Sequence, residues 1–276
     1  MIYKRQKVLL KVVNKLSEQG IHSKTYVIKI VFLLRQKLGF ESVSYDFFPY
    51  KFGPFSNEIY RDFNSLHVQG LFDESNLCLT NKGKEFIKNL QPNESVHSEL
   101  DKIISEFPRQ NLIVDFVYKK YPAFTIRSEK LERKKDSGAG IFSIGYEGKT
   151  IDRFLNELVQ NNISLLIDVR RNAFSMKKGF SKNQIKNYLK NAGISYLHLP
   201  ALGVESEKRK NLETKADYGA LFKEYKRSLP SKKDEILRIE ELGNKQKIAL
   251  MCFEADKNFC HRGVLSNFLS LEVVHL

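Results

Sequence analysis

The sequence predicts a mixed α/β protein built from two domains. Residues 141–276 read as a Rossmann-like three-layer α/β domain with a mostly parallel sheet. A mainly helical, winged-helix-like domain over 1–127 precedes it, and 128–140 reads as a linker. Three observations carry this. Apolar residues recur at helical spacing up to residue 127. After residue 141, short continuous apolar runs alternate with amphipathic stretches, the pattern of strands buried on both faces between helices. Between the two lies "RSEKLERKKDSGAG", residues 127–140, charged and then Ser/Gly-rich, without apolar periodicity.

In the first domain, Val8, Leu9, Val12, Val13 and Leu16 mark one helix, which Gly20 ends. Ser23 is placed to cap a second helix carrying Val27, Ile30, Val31 and Leu34. Ser56 is placed to cap a third, with Ile59, Phe63 and Leu66 on one face, and Gly70 ends it. "LFDESNLCLT" then reads as a hairpin with a polar turn, and Thr80 caps a further helix. Helix, helix, two-stranded wing, helix is the order of a winged helix.

In the second domain the strands are "IFSIGY", "SLLIDV", "SYLHL", "KIALMCF" and "EVVHL". Thr150 caps the helix after the first strand. Ser181 with Gln184 reads as a capping box for the next, which Gly193 closes. Helices over 217–228, 233–242 and 261–270 complete the alternation. "GYEGKT" has too few glycines for a dinucleotide fingerprint.

Composition narrows the function classes. The net charge is +14, and basic residues exceed acidic ones in both halves, a balance that attracts phosphate backbones. No run of eighteen apolar residues exists, so no membrane-spanning helix is expected. The basic, periodic N-terminus lacks the features of a signal peptide. Cys78, Cys252 and Cys260 are too few for a disulfide framework, so a cytoplasmic setting is expected.

Ligands of open parallel sheets bind beyond the carboxyl ends of the strands. Three of those ends are polar here: Tyr146-Glu147, Asp168-Val169-Arg170, and Glu254 followed by Cys260-His261-Arg262. Asp168 and Glu254 are candidate proton-handling groups and His261 a candidate assistant, with Cys260 a candidate nucleophile if a helix N-terminus lowers its pKa. Tyr146, Glu147, Arg170, Ser175, Lys177 and Arg262 are candidate ligand contacts, with the two arginines suited to phosphate. The plain alternative is that Asp168 and Arg170 pair with each other. The loop "RRNAFSMKKGFSKNQIK" mixes basic side chains with Phe174 and Phe180, either of which could stack on a base or pack beneath the loop. "ESEKRKNLETK" reads as a solvated flank of the mouth. Cys252, Cys260, His261 and His198 could be assembled as zinc ligands only on paper, since Cys252 falls within a buried strand and no C-x-x-C spacing occurs. No metal and no cofactor is expected.

"IGYEGKTIDRFLNEL", "LLIDVRRNAFSMKKGFSK", "YLHLPALG" and "CFEADKNFCHRGVL" resemble, in order, the motif blocks of domain-of-unknown-function family 488. The resemblance implies that Tyr146, Glu147, Asp168, Arg170, Ser175, Gly179, Phe180, Gly203, Glu254, Cys260, His261 and Arg262 are the shared polar and loop positions. Ala173 stands where relatives tend to have proline, and Met176 where they tend to have arginine, for which Lys177 is a substitute. "GPFSNEIYRDFNSLHVQGLF" together with "LTNKGKEF" resembles the Panacea-type antitoxin domain and related winged-helix modules. A nucleic acid or nucleotide is the expected partner, acted on by a hydrolytic or glycosidic-bond-cleaving site. The alternative is a DNA-binding regulator or antitoxin-like interaction protein whose α/β domain senses a phosphorylated ligand. A protein partner of the N-terminal domain is a further expectation, and a membrane is not. Glu58, Asp62 and the single Arg61 on the third helix argue against strong major-groove reading.

Overall fold

The computed structural model describes residues 2–90, 93–132, 138–209 and 212–276. The chain divides into two compact units, Met1–Arg133 and Lys134–Leu276. Of the expected linker, residues 133–137 lie outside the described residues. Its beginning belongs to the first unit: Ser128 is buried, donates to the Lys51 carbonyl and meets the Tyr118 hydroxyl at 2.6 Å.

The first unit comprises α1 (Lys4–Glu18), α2 (Lys24–Leu38), β1 (Phe48–Tyr50), β2 (Gly53–Phe55), α3 (Asn57–Val68), β3 (Phe72–Asp73), β4 (Cys78–Leu79), α4 (Asn81–Lys88), α5 (Glu94–Glu106) and α6 (Gln110–Lys120). Helix α2 is buried on every side from Tyr26 to Leu34, because α1, α5 and α6 all pack against it. Ser23 and Thr80 accept the capping hydrogen bonds expected of them, whereas the expected Ser56 side-chain cap on α3 is not formed. The short hairpin β3–β4 occupies the stretch read as a hairpin, its turn held by the Asp73 carboxylate.

A second antiparallel hairpin, β1–β2, was not expected. It pairs Pro49 with Pro54, and proline removes the ladder donor that a strand reading looks for. Asp62, on α3, turns inward to accept hydrogen bonds from Arg5, Gln6 and Tyr45. Glu58 pairs with Arg5 and Arg61.

The second unit comprises β5 (Gly140–Gly145), α7 (Ile151–Gln160), β6 (Leu165–Asp168), α8 (Lys182–Asn191), β7 (Ser195–His198), α9 (Lys215–Ser228), α10 (Lys233–Lys245), β8 (Lys247–Cys252), α11 (His261–Ser266) and β9 (Val273–His275). The sheet order is β7-β6-β8-β5-β9 and every pairing is parallel, so the expected mostly parallel sheet is wholly parallel. Strand β8 runs down the middle. Leu165, Ile167, Ile248, Leu250 and Cys252 pack in one cluster with Leu221, Ile239 and Leu265 of α9, α10 and α11. Leu166, Ala249 and Met251, pointing the other way, are equally buried, so both faces are covered.

Thr150 caps α7 by accepting from the Arg153 amide. Two local readings need correction. Ser181 does not cap α8: its hydroxyl bridges the Ser175 backbone, and Gln184 reaches the Gly179 amide instead of completing a box. Both side chains fasten the preceding loop. Helix α11 stops at Ser266 rather than 270.

Candidate functional site at the carboxyl edge of the sheet

Because β8 lies between β6 and β5, the polar ends of these three strands meet on one rim. They do so in two parts with different chemistry.

The first part is closed. Asp168 ends β6 and has 0% exposure. It takes the Arg170 guanidinium on both oxygens, at 2.8 and 2.6 Å, and also the Arg170 amide at 3.1 Å and the Tyr196 hydroxyl at 2.7 Å. Arg170 also donates to the Tyr146 hydroxyl and the Phe180 carbonyl. Burial alone would lower the Arg170 pKa, but the hydrogen bonds and charge of Asp168 outweigh it and raise it. Tyr196 is pushed up by burial and by the Asp168 charge. Every polar group here has a partner inside the protein. Asp168 therefore does not open into a cleft beside Glu254, and Arg170 presents no free fork to an anion. The plain ion-pair alternative describes this pair.

Neighbouring candidates hold the loops. Tyr146 stacks on Phe180 at 4.3 Å and reaches the Ser175 hydroxyl. Lys177 donates to the Tyr146 carbonyl, and burial lowers its pKa. Glu147 accepts from the Ala255 amide at 3.0 Å. Arg262, buried in α11, donates to the carbonyls of Glu254 and Ala255 and lies 3.4 Å from Ser143. It is thus committed to the backbone after β8 instead of to a ligand. Gly145 is required at this crossing, since a Cβ there would sit 1.9 Å from the Glu254 carbonyl. Gly203 is pressed as closely to Arg171. Of the two loop aromatics, Phe180 is fully buried, whereas Phe174 is 65% and Met176 91% exposed.

The second part is open. Glu254 follows β8 and His261 begins α11, and both border a cavity of about 190 Å³ with Arg209, Tyr218, Phe222 and Phe259. Burial would raise the Glu254 pKa, but hydrogen bonds from Cys260, its own backbone and Cys252 outweigh it and lower it. Glu254 is accordingly an ionised acid at neutral pH. Cys252 Sγ lies 3.3 Å from its Oε2 and 3.7 Å from His261 Nδ1. His261 Nε2 meets the Val169 carbonyl at 3.2 Å.

Cys260 departs from expectation. It precedes α11, yet burial and Cys252 push its pKa well up, so the thiol is held protonated and is a poor nucleophile. Cys252 closes onto Cys260 and His261 despite its place in a strand, because the chain after β8 folds back over that strand's end. The ligating atoms of the three lie within 4.8 Å of one another. His198 is elsewhere, against the Arg170 carbonyl and Lys182.

Arg209, Tyr218, Phe222 and Phe259 escaped the sequence reading. Arg209 falls within the stretch read as solvated. Tyr218 and Phe222 stand four apart on α9, a one-face signal that core packing also produces.

An all-parallel five-stranded α/β unit with a polar carboxyl rim is the class that fold and site define. Within it, residues 150–269 match the model of the family described as domain of unknown function DUF488. The matched stretch contains Asp168, Arg170, Glu254, Cys260, His261 and Arg262, while Tyr146 and Glu147 lie just ahead of it. No curated protein and no solved structure matches the chain. Among the described residues, no helix is long and apolar enough to cross a membrane.

Proposed function

We propose that the α/β unit acts on a nucleotide or nucleic acid by hydrolysis, at a phosphate ester or a glycosidic bond, in the cavity bordered by Glu254 and His261. The observation that carries this reading is the cavity's lining: an ionised carboxylate, an imidazole and the Arg209 guanidinium beside the rings of Tyr218, Phe222 and Phe259. Rings of this kind stack on bases and a guanidinium takes a phosphate. Glu254 has the charge a general base needs. Asp168 and Arg170 then serve as scaffold, fixing the loop behind the rim.

A second reading makes the protein a regulator. An open groove of about 410 Å³ is lined by Arg171, Lys182 and His198, with Phe174 exposed at its edge. The Arg171 and Lys182 cations suit a phosphorylated ligand that is bound without being cleaved. In either reading the N-terminal unit is a winged-helix-like module. The pairing of Glu58 and the inward turn of Asp62 favour protein or phosphate-backbone contact through it over base reading.

Titration of the full chain with mononucleotides and short oligonucleotides tests the first reading. Binding of a phosphate-bearing ligand is expected, weakened about tenfold or more in Arg209→Ala, as loss of a charge-assisted hydrogen bond requires. Binding that Arg209→Ala leaves untouched, but that Arg171→Ala abolishes, would move the site to the groove. No binding at all would contradict both readings.

A further inference from the structure

We propose that Cys252, Cys260 and His261 form a binding site for a zinc-class divalent cation, with Glu254 beside the fourth coordination position. Three independent features lead there. First, the separations fit. Ligand atoms about 2.0–2.3 Å from a tetrahedral ion lie about 3.3–3.8 Å from each other. Cys252 Sγ is 3.7 Å from His261 Nδ1, and no separation in the triad exceeds 4.8 Å. Small side-chain rotations close the difference.

Second, the imidazole is oriented as a ligand. His261 Nε2 is in hydrogen-bonding reach of the Val169 carbonyl, which can only accept, so the proton sits on Nε2. The Nδ1 lone pair then faces the thiols. A ligating histidine commonly donates its other N–H to a carbonyl in this way. Third, the donor atoms are sheltered. All three residues are buried, and the Tyr225 ring stands edge-on to His261 at 5.4 Å.

The donor set of two thiols and an imidazole is soft and selects zinc over magnesium or calcium. Binding replaces two S–H bonds by two S–metal bonds and releases two protons to solvent. The resulting thiolates balance the dication. A carboxylate ligand would leave a net negative charge in a buried site, which argues for water in the fourth position, hydrogen-bonded to Glu254. The cation site stands apart from the proposed function, and only this role for Glu254 rests on that reading. A water on such an ion is far more acidic than bulk water.

The purified two-unit chain is reconstituted with one equivalent of Zn²⁺ or Co²⁺ and its metal content, proton release and absorption spectrum are measured. The site predicts one ion per chain, two protons released per ion, and with Co²⁺ an intense thiolate-to-metal charge-transfer band with the visible bands of a tetrahedral centre. Cys260→Ser should lose the charge-transfer intensity, while Cys78→Ser, altered in the other unit, should keep it. If Cys260→Ser does not fold, the wild-type cobalt spectrum still decides. A Co²⁺ spectrum without thiolate bands, a reduced protein that takes up no metal, or uptake undiminished in folded Cys260→Ser overturns the inference. Nucleotide binding by protein that refuses metal overturns the cation site alone. Metal uptake without nucleotide binding supports the site and contradicts the proposed function.

Discussion

Asp168→Asn lowers the stability of the chain by about 3–5 kcal/mol, the usual effect of removing one partner from a buried ion pair. The substitution preserves shape and changes charge. In the native protein both Asp168 oxygens are occupied and the residue has no exposed surface. With asparagine there, the Arg170 guanidinium stays charged and buried, with one amide oxygen, the Tyr146 hydroxyl and backbone carbonyls as its neutral partners. An asparagine amide also turns two donors toward Arg170 and Tyr196, both of which donate to the carboxylate. Urea denaturation of wild type and variant measures the loss. Replacing both partners by apolar residues, Asp168→Leu with Arg170→Met, should be less harmful than Asp168→Asn alone, because no charge is left stranded. A loss below about 1 kcal/mol would mean that water reaches the pair.

The first unit carries the second large effect, at Lys29. This lysine lies within α2, is 2% exposed, and has the Pro54 carbonyl as its hydrogen-bond partner at 3.1 Å. Burial, with a smaller contribution from the charge of Lys130, lowers its pKa to about 7. The unfolded chain holds the Lys29 proton up to about pH 10.4. Between these values the unfolded state binds more protons than the folded one, so stability rises with pH across about 7 to 10. Below pH 7 both states are protonated and the whole penalty of a buried ammonium is present. The full rise is on the order of 4–5 kcal/mol. Lys29→Met should be more stable than wild type at pH 6, and the advantage should shrink as pH rises. Denaturation profiles of the two proteins from pH 6 to 10 give the difference, which cancels titrations they share. Parallel profiles would show that the amine reaches solvent in the folded state.

The architecture of the second unit was legible because parallel strands buried on both faces leave uninterrupted apolar runs, as "SLLIDV" and "KIALMC" do. The rim was legible too, since acids and bases gather where those runs stop. What stayed hidden was the division of labour along the rim. Asp168 and Glu254 look alike in sequence: each follows an apolar run and has an arginine within reach. Only three dimensions show that Arg170 folds back two residues onto Asp168, while Arg262 bypasses the Glu254 carboxylate for its backbone carbonyl. Cys252 was set aside for lying in a strand, yet its position at the very end of β8 is what lets Cys260 and His261 close over it. Arg209 was lost in a run of charged residues that carries no periodic signal. In the first unit, the prolines of β1–β2 conceal a hairpin, and Asp62, one of the acids that argue against major-groove reading, is the hub of a buried network.

The proposed function requires Glu254 to work as an acid in an open cavity, unlike the sealed Asp168. Glu254→Gln, which keeps the side chain's size, separates the two roles when unfolding free energy and ligand binding or turnover are measured on the same preparation. The expected result is a stability change below about 1 kcal/mol with loss of binding or turnover. A loss of stability as large as that of Asp168→Asn, with binding intact, would contradict it.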